Sequence, residues 1–261
     1  MRKLALSDEI LLKVDKAARY IGGEVNSVMK DKNEVEIRFA MCFPDVYEIG
    51  MSNLGMMILY NMFNQREDVW CERLFSPWPD LDKVMREQNI PLFALESQEP
   101  IRDFDFLGIT LGYEMCYTNI LQVLDLSGIP LKSADRGEDF PIVIGGGACA
   151  YNPEPLAPFF DLFYIGEGET VYDALFDAYK ANKKAGGSRR DFLLAAAKIP
   201  GIYVPSLYEV TYKEDGTIAS FAPTEAGVPE KVQKQLIIDM EKEYRAVEAP
   251  VVPHIKATQD R

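Results

Sequence analysis

The sequence has a single histidine, His254, in 261 residues. A Ser-His-Asp or Cys-His catalytic set, or a multi-histidine metal site, therefore cannot come from this chain alone. Its four cysteines, Cys42, Cys71, Cys116 and Cys149, lie far apart with no C-x-x-C pair. That spacing argues against a thiolate zinc site, an iron–sulfur cluster held by this chain alone and a disulfide framework, and it reads as reduced, cytoplasmic cysteine. Positive charge is also scarce: 28 Lys and Arg face 41 Asp and Glu, a formal net charge of -13. A surface of that sign disfavours sequence-independent binding to nucleic acid backbone. No stretch approaches the roughly 20 apolar residues needed to cross a bilayer, and Asp8 and Glu9 interrupt the N-terminus before a signal-peptide core forms. The expectation is a cytoplasmic protein with no membrane contact.

What is present is an alternation of apolar strands and amphipathic helices. Residues 4–20 carry helical spacing behind a Ser7 cap, and 34–41 run into an apolar strand broken by Phe43-Pro44-Asp45. Helices are expected over 52–63, 78–88, 114–127 and 170–182, and strands over 70–75, 91–95, 105–111, 141–144 and 162–165. Strands spaced by helices imply right-handed crossovers, hence an α/β, Rossmann-like, doubly wound and mostly parallel sheet. After Gly186-Gly187 a short helix over 191–198 and a hairpin around Glu214-Asp215-Gly216 suggest a small C-terminal extension. The expected organisation is an N-terminal helical extension over 1–30, the sheet domain over 31–185, and a helix, hairpin and linker over 186–261. The tail, with Pro250 and Pro253, has the character of a linker to a further domain.

Ligands of such sheets sit at the carboxyl ends of the strands, where Asp45, Thr110, Gly145 and Gly166 fall. Gly145-Gly146-Gly147 ends a buried strand and leaves bare backbone along which a nucleotide-like tail can lie, although tight packing accounts for it equally well. It lacks the G-x-G-x-x-G spacing of dinucleotide sites. Gly166-Glu167-Gly168-Glu169 places two carboxylates at a helix N-terminus, which dipole stabilisation alone explains. Tyr113, Glu114, Cys116, Tyr117 and Asn119 cluster where a strand turns into a helix, and Met51, Met56, Met57 and Met62 make a methionine-rich helix suited to an adaptable core.

The segments FPDVYEIGMSNLGMMILYNMFN, ERLFSPWPDLDKVMREQNIPLFALES, DFDFLGITLGYEMCYTNILQVLDLSGIPL and PIVIGGGACAYNPEPLAPFFDLFYIGEGE resemble the N-terminal region of cobalamin-domain radical S-adenosylmethionine proteins of uncharacterised reaction, over about residues 10–230. The resemblance implies that Asp45, Tyr47 and Gly50 form the loop under a corrin. It also implies that Thr110 and Gly112 hold the position of an S-x-L-type segment, and that Gly145 and Gly146 flank the nucleotide tail of cobalamin. Tyr47 stands where the family's D-x-H-x-x-G loop carries its cobalt-ligating histidine, residue 112 is not leucine, and the spacer from Gly50 to Thr110 is longer than usual. The resemblance further implies a partner, a C-terminal radical S-adenosylmethionine barrel whose C-x-x-x-C-x-x-C loop holds a [4Fe–4S] cluster. That triplet is absent from this sequence, so S-adenosylmethionine and the cluster belong to the further domain, and no catalytic residue or metal ligand is assigned here. Methyl or other group transfer is the expected reaction of the intact protein. The alternatives are a degenerate domain that recognises substrate or acts as a scaffold, and a flavodoxin-like flavin domain.

Overall fold

The computed structural model describes residues 3–243, 247 and 249–253. His254 and the end of the tail lie outside the described residues. The expected α/β architecture is present: six strands form one sheet in the order β2-β1-β3-β4-β5-β6. These are β1 (Ile37–Phe43), β2 (Val69–Phe75), β3 (Phe106–Thr110), β4 (Ile142–Gly146), β5 (Leu162–Tyr164) and β6 (Ile202–Tyr203). The first five are parallel and β6 runs antiparallel to β5. A separate antiparallel ribbon, β7 (Tyr208–Tyr212) and β8 (Ile218–Pro223), forms the C-terminal hairpin.

Every residue of β1 and β2 is buried, as expected of strands covered on both faces. The pleat sends Ile37, Phe39, Met41 and Phe43 to one face and Ala40 and Cys42 to the other. The first face is covered by α4 (Leu54–Gln65), α7 (Tyr172–Lys184) and α8 (Arg189–Ala196), and the second by α5 (Pro79–Gln88) and α6 (Tyr117–Leu126). Short α1 (Asp8–Leu11) and α2 (Ala18–Ile21) precede β1, and α3 (Tyr47–Gly50) follows it. Phe39 centres the first core, edge-on to Phe63 at 5.0 Å and to Phe176 at 5.9 Å. Gly108 on β3 admits that ring, since a Cβ there would lie 2.4 Å from it.

Three elements differ from the sequence reading. Residues 4–20 do not form one helix, because Lys16 takes a left-handed φ of 53° and divides it into α1 and α2. Residues 91–95 form no strand of the sheet and make one isolated bridge, Phe93 to Pro100. Ile202–Tyr203 belongs to the main sheet rather than to the hairpin, so the ribbon starts at Tyr208.

Along the outer side of β2, side chains and one backbone amide take the place of a neighbouring strand. The Asn64 side-chain amide pairs with both backbone groups of Cys71, at 3.0 Å and 2.9 Å. The Glu96 carboxylate accepts from the Arg73 amide at 2.6 Å, Leu95 N–H donates to the Arg73 carbonyl at 2.9 Å, and Lys30 Nζ donates to the Val69 carbonyl at 2.6 Å.

Ion pairs make part of this stability acid-labile. A hydrogen bond from Arg66, with a second from Lys180, holds Asp68 down at about 2 against the opposing effect of burial. Burial alone would raise Glu24, but the Arg73 guanidinium more than offsets it and holds that carboxyl below its ordinary value. A depressed carboxyl binds protons less readily folded than unfolded, so its contribution is complete above the unfolded value and is lost as pH falls through the folded one. The melting temperature should fall steadily from about pH 5 downwards, and Asp68→Asn should flatten the lower part of that profile. A flat profile in the unmodified chain would refute this.

Candidate functional site

The order 2-1-3-4-5 places a topological switch point between β1 and β3, the place where open α/β sheets build ligand crevices. A cavity of about 410 Å³ lies there, between the carboxyl ends of β1, β3, β4 and β5 and the opening turns of α4 and α7. That volume is within the range of small-molecule sites. Its floor is Phe39, Met41 and Ile144, and its sides are Met56, Leu59, Tyr164 and Tyr172. Much of the remaining wall is glycine: Gly55, Gly108, Gly112, Gly146, Gly147, Gly166 and Gly168.

The glycines divide by role. A Cβ at Gly112 would meet nothing within 4 Å, and one at Gly146 would meet only the Tyr172 hydroxyl at 3.9 Å. Both positions are open walls. Gly145 faces the other side of the sheet, where a Cβ would lie 2.7 Å from the Phe163 ring. Gly147 turns the chain out of β4 with φ of 108° beneath the Leu111 backbone, a conformation that favours glycine.

Of the residues singled out from the sequence, Thr110, Gly112, Gly146, Gly147, Gly166, Gly168, Glu169 and Met56 line the cavity. Asp45, Tyr47, Gly50 and Gly145 are not among its lining residues. Asp45 accepts from the Val46 amide at 2.7 Å and from the Tyr113 hydroxyl, while Asn119 donates to the Pro44 carbonyl at 2.9 Å. These contacts tie the loop after β1 to the segment after β3 across the switch point. The Asp45 hydrogen bond pushes the Tyr113 phenol well above its ordinary range, so it stays protonated. Tyr47 turns to the protein interior: its hydroxyl donates to Glu24 at 2.9 Å and its ring meets Phe75 edge-on at 5.3 Å. Gly50 is packed against the same ring, which a Cβ would approach to 2.2 Å. Met51 is buried beside Arg73, with Nη1 at 3.2 Å from its sulfur. Neither Tyr47 nor Met51 plugs the cavity.

Sequence reasoning passed over Asn53, Tyr164 and Tyr172 among the lining residues. Asn53 caps α4, its side chain accepting from the Met56 amide at 2.9 Å, and an N-cap asparagine before a helical run is a readable signal. Tyr164 and Tyr172 reach the cavity through register and the turn Gly168–Thr170, for which no local motif exists. Cys42 and Cys71 are fully buried and desolvation pushes both thiols up, which leaves them unreactive. Among the described residues, no three His, Cys, Asp or Glu side chains converge on a common metal position, and no helix is long and apolar enough to cross a membrane.

The uncharacterized protein MJ0966 of Methanocaldococcus jannaschii is 28% identical over 131 residues, covering 50% of this chain and 24% of that protein. The chain thus matches about a quarter of the length of this curated relative. The radical S-adenosylmethionine methyltransferase TsrM from Kitasatospora setae, solved with tryptophan substrate and a SAM analog, superposes with a TM-score of 0.37 at 16% identity, covering 75% of this chain and 36% of that one. The family described as radical SAM proteins, N-terminal, matches residues 55–205, more than half of the chain, from the first turn of α4 through β6 and so across most of the cavity wall. This protein belongs to the family of radical SAM proteins and carries their N-terminal domain.

Proposed function

We propose that the domain holds a corrinoid for a radical S-adenosylmethionine enzyme, with the nucleotide tail of the cofactor lodged in the cavity between β3, β4 and α7. The observation that carries this reading is the open glycine wall. At Gly112 and Gly146, bare backbone faces space that a side chain would fill, and aromatic and aliphatic groups close the other sides. A flat heteroaromatic group gains most in such a slot, because it exchanges water for ring and methylene contacts while backbone lies close on both sides.

Thr110 offers a hydroxyl at the end of β3, and Gly112 and Gly146 give the tail its path; Asp45 and Tyr113 brace the loop beside it. Tyr47 is engaged with Glu24, so this loop supplies no side chain to the cobalt, and the corrinoid would be held without a protein imidazole. A bound corrinoid supplies a metal that accepts and passes on a methyl group. In the intact protein, a C-terminal barrel would provide the [4Fe–4S] cluster and S-adenosylmethionine for methyl or other group transfer.

The test is a titration of the purified chain with hydroxocobalamin, followed by visible absorbance and calorimetry. Saturable binding at micromolar concentrations with a base-off spectrum is the expected result. If nothing binds far above micromolar, the cofactor reading fails and the domain acts as a scaffold or substrate-recognition module.

A further inference from the structure

We infer that the Tyr172 hydroxyl is a specificity-determining hydrogen-bond donor of the cavity, selecting a ligand ring that carries a neutral acceptor, such as a ring nitrogen, over the Gly146 wall. The inference deepens the cofactor reading above and rests on it for the kind of ring involved. A buried hydroxyl is nearly always paired, because leaving it alone forfeits the hydrogen bonds that it made to water. Tyr172 is only 7% exposed, yet its hydroxyl has no hydrogen-bond partner among the described residues. Nor is its oxygen sealed inside the core. The described side-chain atoms that have neither a partner nor accessible surface are Arg19 Nη1, Ser127 Oγ and Arg189 Nε.

The open side of that oxygen is the cavity. The Tyr172 ring is held by Phe63 at 4.6 Å between centroids, by Phe176 at 5.8 Å and by Tyr164 at 5.9 Å. So placed, the hydroxyl reaches the bare strip of β4: a Cβ on Gly146 would meet it at 3.9 Å and nothing else within 4 Å. Both residues line the cavity. A ligand atom over Gly146 has to come only about 1 Å closer than that Cβ to reach the hydrogen-bond distance of an O–H donor.

The other polar groups of this wall are engaged in the fold. The Tyr164 hydroxyl donates to the Glu167 carbonyl at 2.5 Å and lies 3.2 Å from the Thr170 hydroxyl. The Asn53 side-chain oxygen accepts from the Met56 amide at 2.9 Å. Burial first, then the neighbouring Tyr164 and Cys71, push the Tyr172 phenol above its ordinary value, so its proton stays in place to be donated. A phenol is also a better donor than acceptor, because its oxygen lone pair is delocalised into the ring. With no lysine or arginine among the described lining residues, recognition of a ring edge falls to neutral groups of this kind.

The test uses two flat probes that differ in one ring atom, 1,5,6-trimethylbenzimidazole with its acceptor nitrogen and 1,5,6-trimethylindole with a C–H in that place. Each is measured by equilibrium dialysis against the full chain and its Tyr172→Phe variant. The benzimidazole-to-indole affinity ratio should be about ten-fold higher for the unmodified chain than for Y172F, the discrimination expected when a buried donor is deprived of its acceptor. The melting temperature of Y172F without ligand should equal or exceed that of the unmodified chain, since no internal hydrogen bond is lost. Ratios that agree within two-fold, no binding of either probe, or a melting temperature several degrees lower in Y172F overturns the inference; the last would mean that the fold already uses the hydroxyl. Hydroxocobalamin titrated into the same two proteins separates this claim from the cofactor reading. If it binds while the ratio ignores Tyr172, only the donor role falls; if the ratio responds to Tyr172 and hydroxocobalamin does not bind, only the cofactor reading falls.

Discussion

Replacing Arg73 with methionine should lower the folding free energy by about 3–5 kcal/mol, the cost of leaving a buried carboxylate without its counter-ion. Arg73 and Glu96 are both wholly inaccessible, with Nε 2.6 Å from Oε1. The guanidinium also grips Glu24 through Nη2 at 2.7 Å and Nη1 at 2.9 Å, and Tyr60 donates to Glu96 at 3.0 Å. Three segments far apart in sequence thus meet on one cation: β2, the turn after α2 and the loop after residue 94. Arg73→Met keeps the volume but strands two acids, whereas Arg73→Met with Glu96→Gln removes one of those charges and should recover part of the loss. Urea unfolding of the two variants measures both numbers. A single-variant cost below about 1 kcal/mol would mean that water reaches the site and that the network does not hold these segments.

Gly146→Leu should abolish corrinoid binding, with at least a hundred-fold loss of affinity, while the melting temperature moves by only a few degrees. The side chain would enter open space on the cavity side of β4, with the Tyr172 hydroxyl as its nearest neighbour. A Cβ there meets no core atom closer than 3.9 Å, and the longer side chain fills the slot. The control is Gly145→Leu one residue earlier, whose side chain would be driven into the Phe163 ring and Leu111. That variant should lose stability instead. Unchanged hydroxocobalamin affinity in Gly146→Leu would locate the cofactor elsewhere.

The two adjacent glycines also show what can and cannot be read from a sequence. A glycine run at the end of a buried strand marks a place where backbone stands bare, but the parity that points Gly146 at the cavity and Gly145 at Phe163 is set by register with β3 and β5. The sheet itself was legible because its strands are short apolar runs separated by helical periods, and period is a local property. The Lys16 break is not local: Val14 and Tyr20 must both reach the same core, and a left-handed residue between them brings the chain round. Residues 91–95 are apolar like a strand, yet only Leu95 bonds to the sheet, through the Arg73 carbonyl of β2, while Leu92 and Ala94 donate to Leu126 and Glu99. Tyr47 is the sharpest case. Its place in the D-x-H-x-x-G spacing suggests a ligand-facing residue, and its partner Glu24, far back along the chain, turns it inwards.

The side chains along β2 carry one more implication. A parallel sheet ends in two flanks, and a bare flank offers a row of donors and acceptors to any passing extended chain. On β2, Asn64, Glu96 and Lys30 already occupy the outward groups of Cys71, Arg73 and Val69. At the opposite flank β6 is only two residues long. A foreign strand would have to displace these charged and amide groups from backbone they already bond, so the large sheet resists lateral recruitment and fibril growth. The exposed ribbon of β7 and β8 is left as the more accessible place for another chain to add.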